Sequence, residues 1–138
     1  MRIKLAFAAA AALALSVPTG ASAQSAGTGI VTLYHAAPGQ QVALLKWLAQ
    51  QERIAAAAGV PASQLYVHTD GDSWDYMMIA PATTPAQDDA LDAAAKKMGL
   101  GGGPRGGIEL RKHITSHTDT FVSGPMKASD YLATIGEK

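Results

Sequence analysis

The chain has 138 residues, 48% of them hydrophobic, with 11 basic side chains balanced by 11 acidic ones and no cysteine. A neutral chain whose longest basic run is two residues is not expected to bind nucleic acid, because that binding needs clustered cations. Without cysteine there are no disulfides, so the domain must be stabilised by its own core or by a partner subunit.

The first 23 residues predict a signal peptide. Arg2 and Lys4 give a positive start, residues 5–17 form an apolar run, and Ala21-Ser22-Ala23 is a small-residue cleavage site. The apolar run is too short to cross a bilayer core of about 30 Å. We therefore expect a periplasmic or secreted protein with one domain over residues 24–138, and no membrane association once the leader is removed.

A strand is predicted over residues 30–35, because its side chains alternate in character. Tyr34 and His35 end this strand next to Pro38 and Gly39, a position that often lines a cleft. A Tyr/His pair can bind a small molecule or move a proton. The alternation places the two rings on opposite faces, so the alternative is cross-strand packing for one and solvent for the other.

A long helix is predicted over residues 40–58, which contain no Gly or Pro, and Gly59 is expected to end it. Its apolar face predicts that Trp47 is buried together with Leu44 and Leu48. The opposite face is polar and is expected to lie in solvent; it carries Lys46, Gln50 and Arg53.

Two further strands are predicted over residues 64–69 and 74–80, joined by the turn-forming run 70–73, Asp-Gly-Asp-Ser. We expect them to form an antiparallel hairpin. Trp74 and Tyr76 would share one face of the second strand, and Tyr66 would join them if the hairpin register places the three rings together. Such an aromatic patch can be core, a dimer contact or a platform for a ligand.

The second half of the chain predicts more helix. Thr84 and Pro85 begin a helix over residues 86–98, and the glycine-rich run 99–107 follows as a mobile lid or a linker. A third helix is predicted over residues 108–122, because Leu110, Ile114, His117 and Phe121 recur at helical spacing. A short last helix within residues 125–135 is expected to turn its apolar side chains inward: Met126, Tyr131 and Leu132.

His113 and His117 stand four residues apart, which on a helix places both on one face and makes them weak candidates for metal ligands. Asp119 would lie about 200° around that helix from His117 and could not join them. Because His117 falls within an apolar stripe, a buried and hydrogen-bonded histidine, a pocket-lining group and a metal or haem ligand all remain open. No cofactor is expected.

The order strand, helix, strand, strand, helix supplies five of the six elements of a ferredoxin-like unit. With Val31-Thr32-Leu33-Tyr34-His35 and Trp74-Asp75-Tyr76-Met77-Met78, residues 30–98 resemble the dimeric α/β-barrel superfamily. The resemblance implies a homodimer in which two sheets associate. The predicted fold is α+β, an antiparallel-rich sheet with helices on one face and a helical C-terminal segment in place of the sixth element, a strand.

Three functions are compatible with these features. The first is a non-catalytic, small-molecule-binding or stress-related homodimer that holds a small apolar or aromatic ligand between sheet and helices. The second, by fold analogy alone, is a cofactor-free or haem-handling enzyme similar to monooxygenases. The third is a structural or assembly subunit. The candidate ligand-binding residues are Tyr34, His35, Trp74, Tyr76 and His117.

Overall fold

The computed structural model describes residues 27–137, so the predicted signal peptide and its cleavage site lie outside the described residues. No helix in this range is long and apolar enough to cross a membrane. The elements, in chain order, are β1 (Gly27–Ala36), α1 (Gln41–Ala58), β2 (Gln64–Val67), β3 (Tyr76–Pro81), α2 (Pro85–Lys97), α3 (Pro104–Leu110), β4 (Ile114–Gly124) and α4 (Ala128–Thr134).

The four strands form one sheet in the order β2-β3-β1-β4, and every neighbouring pair is antiparallel. The strands β1 and β2 therefore run parallel with β3 between them, which is the split arrangement of a ferredoxin-like fold. The predicted α+β, ferredoxin-like class and the β2–β3 hairpin are confirmed. The short α3 is inserted before β4, and α4 follows the completed unit.

The predicted helix over residues 108–122 is wrong. Helix α3 ends at Leu110, and β4 begins at Ile114. Strand β4 contains three threonines, and with Ile114, Phe121 and Val122 these residue types favour an extended chain. Pairing with β1, from Gly27↔Gly124 to Ala36↔Ile114, supplies the long-range hydrogen bonds that decide the outcome. The sixth element is therefore the strand that the sequence pattern did not indicate.

Helix α1 supplies the main core. Leu44 and Leu48 are 0% and 2% exposed and pack against Tyr34, Tyr76 and Ile114 of the sheet. Trp47 is only partly buried at the edge of this cluster, so the prediction that it is buried like its neighbours is wrong. A second cluster joins the far end of α1 to α2 through Ile54, Ala94 and Ala95.

Local signals of helix ends are reproduced. Gly59 ends α1 with φ of 70°, a left-handed conformation that glycine adopts without steric cost. Thr84 begins α2 through a capping box, in which its hydroxyl accepts from the Gln87 backbone and Gln87 accepts from the Thr84 backbone. At the C-terminus the prediction of inward packing is wrong within the protomer. Three apolar side chains there are 41–56% exposed: Met126, Tyr131 and Leu132.

Candidate functional site

Three of the predicted site residues form one row across the sheet. Tyr34 on β1 lies in register with Tyr76 on β3 and with His117 on β4. Directly paired residues of antiparallel strands point to the same face, so these rings are neighbours. The Tyr34 and His117 rings stack with their centroids 6.3 Å apart and their planes 23° apart. Their role in ligand binding stays a prediction.

The other two predicted site residues lie apart from this row. His35 points to the opposite face, as the strand alternation predicts, and its Nδ1 lies 3.2 Å from the Ser73 carbonyl oxygen. Trp74 precedes β3 and contacts the edge of His68, with ring centroids 5.0 Å apart. The structure therefore divides the predicted aromatic patch between the sheet face and the β2–β3 turn.

A polar network adjoins the row at the next position of each strand. The Thr32 hydroxyl donates to Asp119 Oδ1 at 2.7 Å, and Asp119 Oδ2 lies 3.4 Å from His117 Nδ1. Because β4 is a strand, residues two apart share a face, so the expectation that Asp119 could not join His117 is wrong. Thr32 is 6% exposed, and this network satisfies its buried hydroxyl.

The predicted helical pairing of His113 with His117 does not form. His113 precedes β4, and its Nδ1 lies 3.2 Å from Gln40 Oε1 at the start of α1. The i, i+4 argument for a metal site therefore fails, because it required a helix. Within residues 27–137 no group of three histidine, aspartate or glutamate side chains could hold a metal ion.

Both tyrosines of the row are held in their neutral form. Burial raises the pKa of Tyr34 to about 12; the Thr32 hydroxyl partly offsets this, and the Asp119 charge adds to it. Burial, and then the charge of Asp75, raises the pKa of Tyr76, whose hydroxyl donates to the Gln41 carbonyl at 3.2 Å. At neutral pH the two phenols are therefore hydrogen-bond donors and not bases.

The same sheet face is bare on β4. The side chains of His117 and Asp119 are 38% and 46% exposed, and Phe121, on the same face, is 79% exposed. We call these three residues the β4 flank. Helix α1 covers the row at Tyr34 and Tyr76 but leaves the flank open, so a ligand can reach the imidazole.

A separate cavity of about 390 Å³ lies between the sheet and the helices. Met78 and Ala80 of β3 form its floor, Trp47 and Ala55 of α1 one wall, and Leu91 of α2 another. We call it the inter-layer cavity. Its volume falls within the range of roughly 300–1,000 Å³ usual for small-molecule sites. None of the five predicted site residues lines it.

The glycine-rich run closes the inter-layer cavity. A side-chain Cβ at Gly102 would lie 2.7 Å from Asp92 Oδ1, and Gly103 has φ of 52°. Glycine therefore suits both positions, Gly103 because of its positive φ and Gly102 because a larger residue would displace the Asp92 side chain. The run, which the sequence indicated as a lid or a linker, is therefore a wall of the cavity. Its six glycines were the one sequence signal that could have revealed this site.

On the other side of Trp47 a wider groove of about 1030 Å³ separates α1 from α3. The polar face of α1 lines it through Lys46 and Arg53, and Arg105 of α3 faces them. The α1 face predicted to lie in open solvent is thus one side of a groove. Within residues 27–137 no strand residue lines this groove.

No protein-family model matches the chain, and no curated protein matches it. Among solved structures it is similar to SnoaB, a cofactor-independent oxygenase from Streptomyces nogalater, with 18% identity, a TM-score of 0.49, and coverage of 73% of this chain and 95% of that one. It is also similar to a dimeric protein of unknown function with a ferredoxin-like fold from Bacteroides fragilis, with 11% identity, a TM-score of 0.46, and coverage of 70% and 95%. A dimeric ferredoxin-like protein from Thermobifida fusca has 10% identity, a TM-score of 0.47, and coverage of 73% and 93%.

Proposed function

We propose that the protein binds a small apolar or aromatic molecule in the inter-layer cavity. The observation that carries this proposal is a space of about 390 Å³ between a sheet and two helices, with a lining that is mostly apolar. The cavity is partly open to solvent, so a small molecule can enter it. An apolar ligand of matching size removes the apolar lining from water.

The lining includes five polar side chains: Gln51 and Glu52 of α1, Ser63 and Thr83 of the connecting segments, and Asp92 of α2. Gln51 of α1 and Asp92 of α2 contribute to the lining, and Trp47 presents an aromatic surface between them and the groove beyond. Small-molecule sites commonly combine an apolar body with a few polar groups that fix orientation. A planar ring against Trp47, with one polar substituent toward Gln51 or Asp92, fits this pattern.

The test uses N-phenyl-1-naphthylamine, a neutral and environment-sensitive aromatic probe. In a Trp74→Phe background Trp47 is the one remaining tryptophan, so quenching of its emission by the probe reports binding beside the cavity wall. Ala55→Phe fills the cavity from α1. Ala57→Phe adds the same ring at an exposed position of the same helix and is the matched control.

We expect saturable quenching of Trp47, with an affinity at least tenfold lower in Ala55→Phe and within twofold of the parent in Ala57→Phe. Unfolding midpoints of both variants establish that the helix remains folded. Equal probe affinity in the parent and in a folded Ala55→Phe variant would show that the cavity is not the binding site.

We also propose that the protein is a homodimer that uses the sheet face opposite the helices. This open face carries Leu33 on β1, which pairs with Met77 on β3. Three further apolar side chains lie on the same face: Val31, Ile79 and Val122. Neither core cluster of residues 27–137 includes them. A second copy would remove this apolar surface from water, and two-fold pairing is the commonest way to do so.

Light scattering at micromolar concentration tests the dimer, and two charged variants locate its interface. Leu33→Glu places a carboxylate on the open face and is expected to give a monomer. Phe121→Glu places the same group on the β4 flank, on the other face of the sheet, and is expected to remain a dimer. A monomer mass for the parent across this range would overturn the proposal.

Export is the third part of the proposed function. Its support is the leader itself, with Arg2 and Lys4 ahead of an apolar run and a small-residue site ending at Ala23. Intact mass of the protein recovered from outside the cytoplasm is expected to match a chain that starts at Gln24. Recovery with residues 1–23 still attached would contradict it.

A further inference from the structure

The β4 flank contains a histidine beside a carboxylate that is itself held by a buried hydroxyl. Thr32 donates to one oxygen of Asp119 at 2.7 Å, and the other oxygen lies 3.4 Å from His117 Nδ1. Thr32 is nearly inaccessible, whereas His117 is 38% exposed. The network thus runs from the buried part of β1 to a ring that solvent and ligands can reach.

Asp119 Oδ2 lies 3.4 Å from Nδ1, an ion-pair distance that favours a proton on that nitrogen. When Nδ1 carries the proton and faces the carboxylate, Nε2 keeps its lone pair and is the atom able to accept a proton. Among residues 27–137 the structure shows no hydrogen bond to either ring nitrogen of His117, and Nε2 has no charged neighbour at ion-pair distance. The Tyr34 ring stacks on the imidazole with its centroid 6.3 Å away. Tyr34 itself stays protonated, because burial raises its pKa to about 12, and so does not compete as a base.

Phe121 completes the flank. It stands two residues beyond Asp119 on the same face and is 79% exposed. An aromatic ring this exposed offers a planar apolar surface on which a planar substrate can stack. A substrate stacked there would hold its weakly acidic proton close to the imidazole of His117.

We propose that the β4 flank is an acid–base site in which His117 takes a proton from a planar aromatic substrate and Asp119 positions the imidazole. In this step the substrate C–H or O–H bond breaks, an N–H bond forms at Nε2, and the electron pair stays on the substrate. The imidazolium is balanced by the Asp119 carboxylate. Return of the proton to another substrate atom completes an isomerisation. Departure of a leaving group with the electron pair completes an elimination, after which the imidazolium releases its proton to water. This site is independent of the inter-layer cavity.

The probe is 5-nitrobenzisoxazole, a planar carbon acid. A base removes its ring proton, the electron pair forms a nitrile, the N–O bond breaks, and a coloured nitrophenolate is released. We expect the full-length protein to accelerate this elimination and His117→Gln to lose roughly tenfold or more of that acceleration, as removal of a general base does. Imidazole added to His117→Ala is expected to restore part of the rate.

Further variants separate the roles of the flank residues. Asp119→Asn is expected to lower kcat with little change in KM, because it positions the base without holding the substrate. Phe121→Ala is expected to raise KM and leave kcat nearly unchanged. His113→Gln is the matched control, because its ring contacts Gln40 and lies outside the flank.

Two results would overturn the proposal. One is a folded His117→Gln variant with a rate within twofold of the parent. The other is an equal loss of rate in His113→Gln and His117→Gln, which would place the elimination at some other base. Unfolding midpoints of each variant show that the fold is retained, and His117 is exposed enough for its replacement to be tolerated.

Discussion

One face of the sheet has two halves with the same strand alternation and opposite surroundings. Beneath α1, Tyr34 and Tyr76 are 4% and 6% exposed and contact Leu44 and Leu48. On β4 the next residue of the same row, His117, has a side chain that is 38% exposed. Alternation thus determines which face a side chain occupies. The helix above determines whether that side chain stabilises the fold or is available to a ligand.

The boundary between the halves is β1. Thr32 and Tyr34 are both buried, as are the residues beneath α1. Each nevertheless contacts the bare half: Thr32 donates a hydrogen bond to Asp119, and Tyr34 stacks on His117. A polar side chain on the bare half can therefore be positioned by buried neighbours without being buried itself. That combination of a fixed orientation and an open approach is what a reactive group needs.

The covered half should show the largest effect on stability. Leu44→Ala removes a side chain that is 0% exposed and leaves a cavity between α1 and the two tyrosines. We expect the free energy of unfolding to fall by about 3 kcal/mol. Val42→Ala, at a position 64% exposed on the same helix, should change it by less than about 0.5 kcal/mol. Equal shifts of the two urea midpoints would mean that α1 does not cover the sheet in this way.

The next effect concerns the ionisation of Tyr34 at the boundary. Burial raises its pKa to about 12 from 10.0, so the unfolded chain loses the proton at lower pH than the folded one. The stability linked to this group is fully present below about pH 10 and is lost as the pH rises toward 12, by about 2–3 kcal/mol.

Comparison of the parent with Tyr34→Phe isolates this contribution, because all other titrating groups are shared. The parent should lose stability more steeply than the variant between pH 10 and 12, as measured by urea unfolding across that window. Parallel pH profiles would show that Tyr34 ionises as readily in the fold as in the unfolded chain.

Features that depend on nearby residues could be predicted from the sequence. Gly59, the Thr84–Pro85 helix start and the turn between β2 and β3 all rest on local backbone chemistry, and the structure reproduces them. Strand β4 could not be predicted in this way, because its apolar spacing also fits a helix. Its pairing with β1, which is distant in sequence, decides between the two.

The candidate sites show the same division. That Tyr34 and His35 point to opposite faces follows from alternation alone. The contact of His117 with Asp119 depends on β4 being a strand, whereas the sequence pattern predicts a helix there. The inter-layer cavity was missed for another reason: the distance between α1, α2 and the sheet is set by packing of whole elements, and no local pattern records it.

A smaller effect is expected at Thr32. Thr32→Val removes the buried hydroxyl that donates to Asp119 and keeps the branched shape of the side chain. The carboxylate that loses its partner is 46% exposed and regains water, so we expect the free energy of unfolding to fall by only about 1 kcal/mol. Thr69→Val, at an exposed position in the turn between β2 and β3, is the control. An equal loss of stability in that variant would show that the Asp119 bond does not account for the effect.

The smallest effect is expected on the bare half itself. Phe121 is 79% exposed, so Phe121→Ala removes few contacts within the protomer and should change the free energy of unfolding by less than about 0.5 kcal/mol. The measurement is urea unfolding at two protein concentrations a hundredfold apart. A concentration-independent loss of about 2 kcal/mol would mean that the ring packs within its own chain. A loss seen only at the higher concentration would mean that a second copy covers the β4 flank. In that case the bare half would be exposed to solvent in the monomer and buried in the dimer.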